Sequence, residues 1–280
     1  MTHNNSDEQP GGQIYWIWPF SFSPDLSSRI LQTADRYGQI AVWKTLTVAV
    51  LAGALPALLA IAVQVPFDRF VTAIIVLPLL LGATRRDSLP VGLGVMTVAI
   101  VAHCAVIITF AARDPDALFG MFPDGADYWK RSLTWITTGE SPEYSLAYWV
   151  PAHFQILAGS AAFAYTSHGF LTIWEGLYEV DLMNCYVGQL VAHSKNVWLA
   201  VAVGWHPWSV LRGIGYLLVT FEVSSYSLQR MTATTLSTRR RRLSRWGLGL
   251  AFLVADGVVK FLFLESVRQL LESNLIAPTG

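Results

Sequence analysis

Three stretches of this chain are long enough and apolar enough to cross a lipid bilayer, and no other feature restricts its folding more. They are residues 40–64 (IAVWKTLTVAVLAGALPALLAIAVQ), 89–112 (LPVGLGVMTVAIVAHCAVIITFAA) and 246–264 (WGLGLAFLVADGVVKFLFL). A crossing helix needs roughly 20 mostly apolar residues. In hydrocarbon every backbone polar group must be satisfied within the segment, so such runs fold as helices. A fourth stretch, residues 146–172, passes with His153 and His168 inside it. FVTAIIVLPLLLGA at 70–83 is shorter, but its flanking loops span only a few residues, so it must cross as well. Residues 196–226 form another apolar stretch, interrupted by His206-Pro207. The weakest segment is HGFLTIWEGLYEVDLMNCYVGQ at 168–189, which is apolar on every side yet carries Glu175, Glu179 and Asp181. The expectation is an all-α, polytopic integral membrane helix bundle of about six to seven transmembrane helices, one of them broken at His206-Pro207. A single transmembrane domain is expected over residues 40–272, with a tail at 273–280.

Charge sorting supports this placement. Only 14% of residues are charged and 53% are hydrophobic, whereas soluble domains carry roughly a quarter charged residues. The net charge of zero conceals segregation. Residues 113–147 hold Asp114, Asp116, Asp124, Asp127, Glu140 and Glu143, while 230–245 hold Arg230, Arg239, Arg240, Arg241, Arg242 and Arg245 with no acid. Basic loops face the cytoplasm. Arg85, Arg86, the Arg-rich loop 229–245 and the residues Arg29, Arg36 and Lys44 therefore belong inside, with the N-terminus cytoplasmic and the acidic loop 113–147 external. Crossing parity then requires two crossings or none between residues 173 and 230, and two gives seven spans. The expected location is a bacterial cytoplasmic membrane. Residues 1–39 form a polar N-terminus without a secretory signal. Within it, YWIWPFSF at 15–22 suits the headgroup zone, and the following segment, with Ser23 or Asp25 near its cap, suits an amphipathic surface helix.

The acids in the weakest segment raise the functional question. His168, Glu175 and Glu179 are spaced to share one helix face, and Asp181 follows them. A charge at the bilayer centre costs at least about 2.5–3.5 kcal/mol on the insertion scale, so such groups are expected to line a cavity, pair with a cation or bind protons. The bland alternative leaves residues 173–195 along the cytoplasmic interface with the acids in water. Arg212, just beyond the break at Pro207, is the expected partner of Glu175 or of an anionic group, because broken helices expose backbone groups near transport sites. A polar intramembrane site of His168, Glu175, Glu179, Asp181 and Arg212 would serve permease-like transport of a proton, cation or small anion. The alternative is a non-catalytic subunit or assembly factor of a larger envelope complex, meeting a protein partner through loop 113–147.

Two cofactor readings also arise. His153, His168, His193 and His206 have spacings of 15 and 13 residues on two apolar stretches, which resembles the bis-histidine haem b ligation of membrane cytochromes b. At about 100° per residue those spacings leave the paired rings some 60° and 140° apart. Asp256 and Lys260 in ADGVVK resemble the acid and retinal-bearing lysine of the last helix of microbial rhodopsins. The third-helix pattern of that family has its nearest match in RSLTWITT at 131–138, where Thr134 stands in place of the acid. A self-neutralising Asp–Lys pair accounts for both residues without retinal. Cys104 and Cys185 indicate neither a disulfide framework nor a thiol metal site. Arg239–Arg245 suit the anionic lipids of the bilayer, and nothing points to nucleic acid.

Overall fold

The computed structural model describes residues 29, 32–36, 39–140, 145–232 and 237–276. The aromatic run at 15–22 and its expected cap at Ser23 or Asp25 lie outside them. Among the described residues there is no strand, and an isolated bridge joins Ser194 to Leu275. The helices are α1 (Val42–Val63), α2 (Asp68–Arg85), α3 (Leu89–Arg113), α4 (Pro115–Met121), α5 (Pro123–Thr138), α6 (Leu146–Thr166), α7 (Phe170–Ala192), α8 (Val197–Gly204), α9 (Pro207–Thr232) and α10 (Arg239–Asn274). Three of them, α1, α3 and α10, are long and apolar enough to cross a membrane. Their outward faces expose Leu59, Val101, Val254 and Leu262. A water-soluble surface rarely presents such continuous apolar area, whereas lipid accepts it.

Local chemistry sets the boundaries. Asp114 accepts a hydrogen bond from the Ala117 amide at 3.2 Å and so caps α4, whose first residue is Pro115. Proline at that position loses no helical hydrogen bond. Gly139, at φ 77°, ends α5 in the left-handed region, where a side chain is disfavoured. The segment expected as the acidic loop 113–147 is thus largely two helices. Likewise, residues 239–245 of the expected Arg-rich loop form the first turns of α10, started by the Thr238 hydroxyl on the Arg241 amide. Arginine is a good helix former, so the pattern simply continues outward from the apolar run.

Close backbone approach organises the centre. An added Cβ at Gly53 would overlap the carbonyl oxygen of Ala99, so α1 and α3 touch backbone to backbone. Gly188 of α7 lies as close to Ala111 and to Ile108 of α3, and Gly215 of α9 faces Gly249 of α10. Small residues at helix crossings are how apolar helices pack without a hydrophobic gradient between them. Helix α7 begins where Gly169 meets Leu80 and Ser224, and ends where the Gln189 side chain reaches the Ala111 carbonyl. It therefore runs the length of the bundle between α2, α3, α5 and α6, and does not turn along one end. The chain breaks after Gly204 and restarts at Pro207, as expected. The break lies beside Tyr186, whose hydroxyl is 3.1 Å from His206 Nε2, so α8 packs on the last turns of α7 and, of the two pieces, α9 is the one that runs the bundle's length.

One end is latched by charge. Arg245 donates to Asp87 Oδ1 at 2.7 Å and to Glu222 Oε1 at 2.8 Å, and Arg241 to Asp87 Oδ2 at 2.8 Å. The α2–α3 turn and the start of α10 therefore share one end of the bundle. Arg241 and Arg245 are engaged within the protein, and Arg239 and Arg240 remain exposed.

Candidate cation site

Asp68, His103 and Asp181 converge between α2, α3 and α7, and all three are buried. His103 stands one turn beyond Ala99, the residue against which Gly53 packs, and its Nδ1 lies 3.3 Å from the Gly53 carbonyl oxygen. A carbonyl only accepts, which assigns the proton to Nδ1. His103 Nε2 then faces Asp181 Oδ1 at 2.7 Å and Asp68 Oδ2 at 3.8 Å. Carboxylates also accept, so a proton or another cation must lie between the imidazole and the acids. The three ligand-type atoms sit within 4.8 Å of one another.

A roof closes over this cluster. Arg69 Nε is 3.9 Å from Asp181 Oδ2, and its guanidinium lies over the rings of Phe122 and Tyr178 at 5.0 and 5.1 Å. Cation–π contacts of this kind hold an arginine in place without neutralising it. The Tyr178 hydroxyl donates to Asp124 Oδ2 at 2.8 Å, which ties the start of α5 to the same roof. A crevice lined by Pro66, Leu118 and Phe122 reaches Asp68 and Asp181 from this side. One turn along α7 from Asp181, Asn184 is fully buried beside the Cys104 thiol, and its Oδ1 and Nδ2 make no well-formed hydrogen bond. Buried polar atoms are nearly always satisfied, so this amide marks a place where water or an ion belongs.

Of the residues expected from the sequence, Asp181 enters this cluster and the others do not. Glu175 and Glu179 are exposed on the opposite face of α7. Two residues turn a helix by about 200°, so Glu179 and Asp181 cannot share a face. His168 precedes α7, at φ 55°, with its Nδ1 2.8 Å from the Ser227 hydroxyl. Arg212 is not joined to Glu175: its Nε and Nη2 donate to both oxygens of Asp256 at 2.9 and 3.2 Å. The ADGVVK acid thus has its partner across the α9–α10 interface, and Lys260 is buried one turn away.

Around that pair lies a second polar region. Trp149 stacks on His153 at 4.2 Å and abuts Gly257. Trp149 Nε1, His153 Nε2 and the Tyr216 hydroxyl are buried there without hydrogen-bond partners. His193 stacks on Trp129 and its Nδ1 bonds the Gln189 carbonyl at 2.9 Å, while His206 stacks on Trp208. Each of the four histidines of the haem reading thus has a different immediate environment.

Asp68, Arg69, His103 and Asn184 were not singled out from the sequence. His103 sits inside the second long apolar run, where a lone ionisable residue is by itself a functional signal. PFDRF at 66–70 reads as a short connection, and nothing local shows that its acid is carried into the core. Comparison with protein-family models, curated proteins and solved structures found no match to this chain.

Proposed function

We propose that this protein is a multi-pass membrane protein of seven crossings that binds a cation at Asp68, His103 and Asp181 in the course of permease-like transport. The observation that carries the reading is the arrangement of three acceptor groups around His103 in a fully buried position. Two carboxylates inside an apolar bundle are costly unless a cation repays their desolvation. Seven crossings are supported by α7, which runs from the end bearing the charge latch to the end bearing α4 and α5. Positive-inside sorting assigns the latch end, with Arg85, Arg86 and Arg239–Arg245, to the cytoplasm. The crevice then opens outward, beneath α4.

Two experiments test the reading. Cysteines placed singly at Thr166, before α7, and at Lys195, after it, should label from opposite sides of sealed vesicles; labelling from one side removes the α7 crossing. In proteoliposomes, entrapped pH- and metal-sensitive dyes should report cation flux above that of empty liposomes. Asp181→Asn should reduce the flux at least tenfold, and equal flux in variant and wild type would refute a transport role for the cluster.

A further inference from the structure

We infer that the Asp68–His103–Asp181 cluster is a binding site for a divalent first-row transition metal ion, with Asn184 as an added oxygen donor. The inference rests on the reading of the cluster as a cation site and names the cation's class. One imidazole nitrogen with two carboxylate oxygens is a donor set used for zinc and its neighbours. Calcium requires 6–8 oxygens, more than this core supplies. A thiophilic ion would need thiolates, and neither Cys104 nor Cys185 belongs to the group of three ligands.

The distances agree with this class. Bonds of about 2.0–2.1 Å in tetrahedral geometry separate neighbouring ligand atoms by about 3.3 Å. The present separations from His103 Nε2, 2.7 Å to Asp181 and 3.8 Å to Asp68, bracket that value. Side-chain movements of about half an ångström would equalise them. The Gly53 carbonyl on Nδ1 is the outer partner that metal-bound histidines use to fix the tautomer and orient the ring. The two carboxylates supply two negative charges toward a divalent ion, and with the Arg69 guanidinium 3.9 Å from Asp181 the filled site carries one net positive charge. When the ion enters, it replaces the proton on Nε2, which leaves to solvent. Asn184, buried one turn from Asp181 and beside the Cys104 thiol, would turn its amide oxygen to the ion without adding charge. The narrow crevice between Pro66 and Phe122 reaches both carboxylates and is lined by Arg69 as well, so an entering ion would displace that guanidinium.

The test uses the full-length protein in mild detergent, stripped with chelator and titrated with Co²⁺ alone or Zn²⁺ alone. The expected result is one equivalent bound per chain, visible Co²⁺ ligand-field bands displaced by Zn²⁺, and proton release on binding. Asp68→Asn and His103→Gln should abolish the bands. Asn184→Ala, which removes no charge, should weaken binding about 10–100-fold, the range for supporting partners, while retaining the circular dichroism of the wild type. Asp127→Asn, an exposed acid, should leave the titration unchanged. Failure to retain one equivalent, or retention undiminished in Asp68→Asn and Asn184→Ala, overturns the inference. Stoichiometric binding without flux in proteoliposomes would uphold the metal site and reject transport. Proton flux without metal binding would do the reverse.

Discussion

Gly53→Ala should destabilise the protein through a single methyl group. The added carbon would overlap the Ala99 carbonyl oxygen and lie 2.9 Å from the Ala99 carbonyl carbon. A carbon and a carbonyl oxygen in contact are about 3.3–3.6 Å apart, so clearing the overlapped oxygen forces α1 and α3 apart by more than about 1 Å. That movement carries the Gly53 carbonyl, now 3.3 Å from His103 Nδ1, beyond about 4 Å and out of hydrogen-bond range. Overpacking costs about 1–3 kcal/mol and the lost hydrogen bond about 1 kcal/mol, giving about 2–4 kcal/mol together. The assay is the denaturation midpoint in mild detergent, read by tryptophan fluorescence, with Gly176→Ala as reference. Gly176 lies in mid-helix with no atom within 4 Å of an added Cβ, and alanine there should stabilise by about 0.5–1 kcal/mol. If both variants shift the midpoint alike, the backbone contact between α1 and α3 does not hold His103, and the reasoning fails.

Three further outcomes follow from the same structure. Asp256→Asn strands Arg212 and removes an anion one turn from buried Lys260, and should cost about 3–5 kcal/mol; a midpoint shift worth less than about 1 kcal/mol would refute the pairing. Burial acts to raise the Asp87 carboxyl, but the hydrogen bonds from Arg241 and Arg245 outweigh it and hold the pKa below its ordinary value. A depressed folded-state pKa stabilises fully above about pH 4 and is lost as pH falls through the depressed value. Hydrogen exchange over residues 239–245 should therefore speed up in acid beyond the intrinsic rate change, and Asp87→Asn should remove that pH dependence. Glu175→Gln, on an exposed face of a helix that seven crossings would set in lipid, should raise the denaturation midpoint, because a charge at the bilayer centre costs about 2.5–3.5 kcal/mol; an unchanged midpoint would leave Glu175 in water and count against the α7 crossing.

The amino-acid sequence by itself determined the helical class, the three long apolar helices and the break before Pro207. Each follows from local chemistry: hydropathy over a run of about 20 residues, and a proline that cannot continue a hydrogen-bond ladder. It also marked Asp181 and Arg212 as costly ions in apolar surroundings. Their partners were decided only by the tertiary structure. Asp68, His103 and Asp181 are separated by 35 and 78 residues, and no periodicity connects them. What joins them is the depth at which α2, α3 and α7 stack, set by the contacts of Gly53 on Ala99 and Gly188 on Ile108. Tertiary packing likewise gave Asp256 to Arg212, whereas helix rotation alone turns Glu175 and Glu179 away from Asp181. Helix faces are written in residue spacing, but which faces meet depends on backbone approach distances that single side chains across the interface allow or forbid.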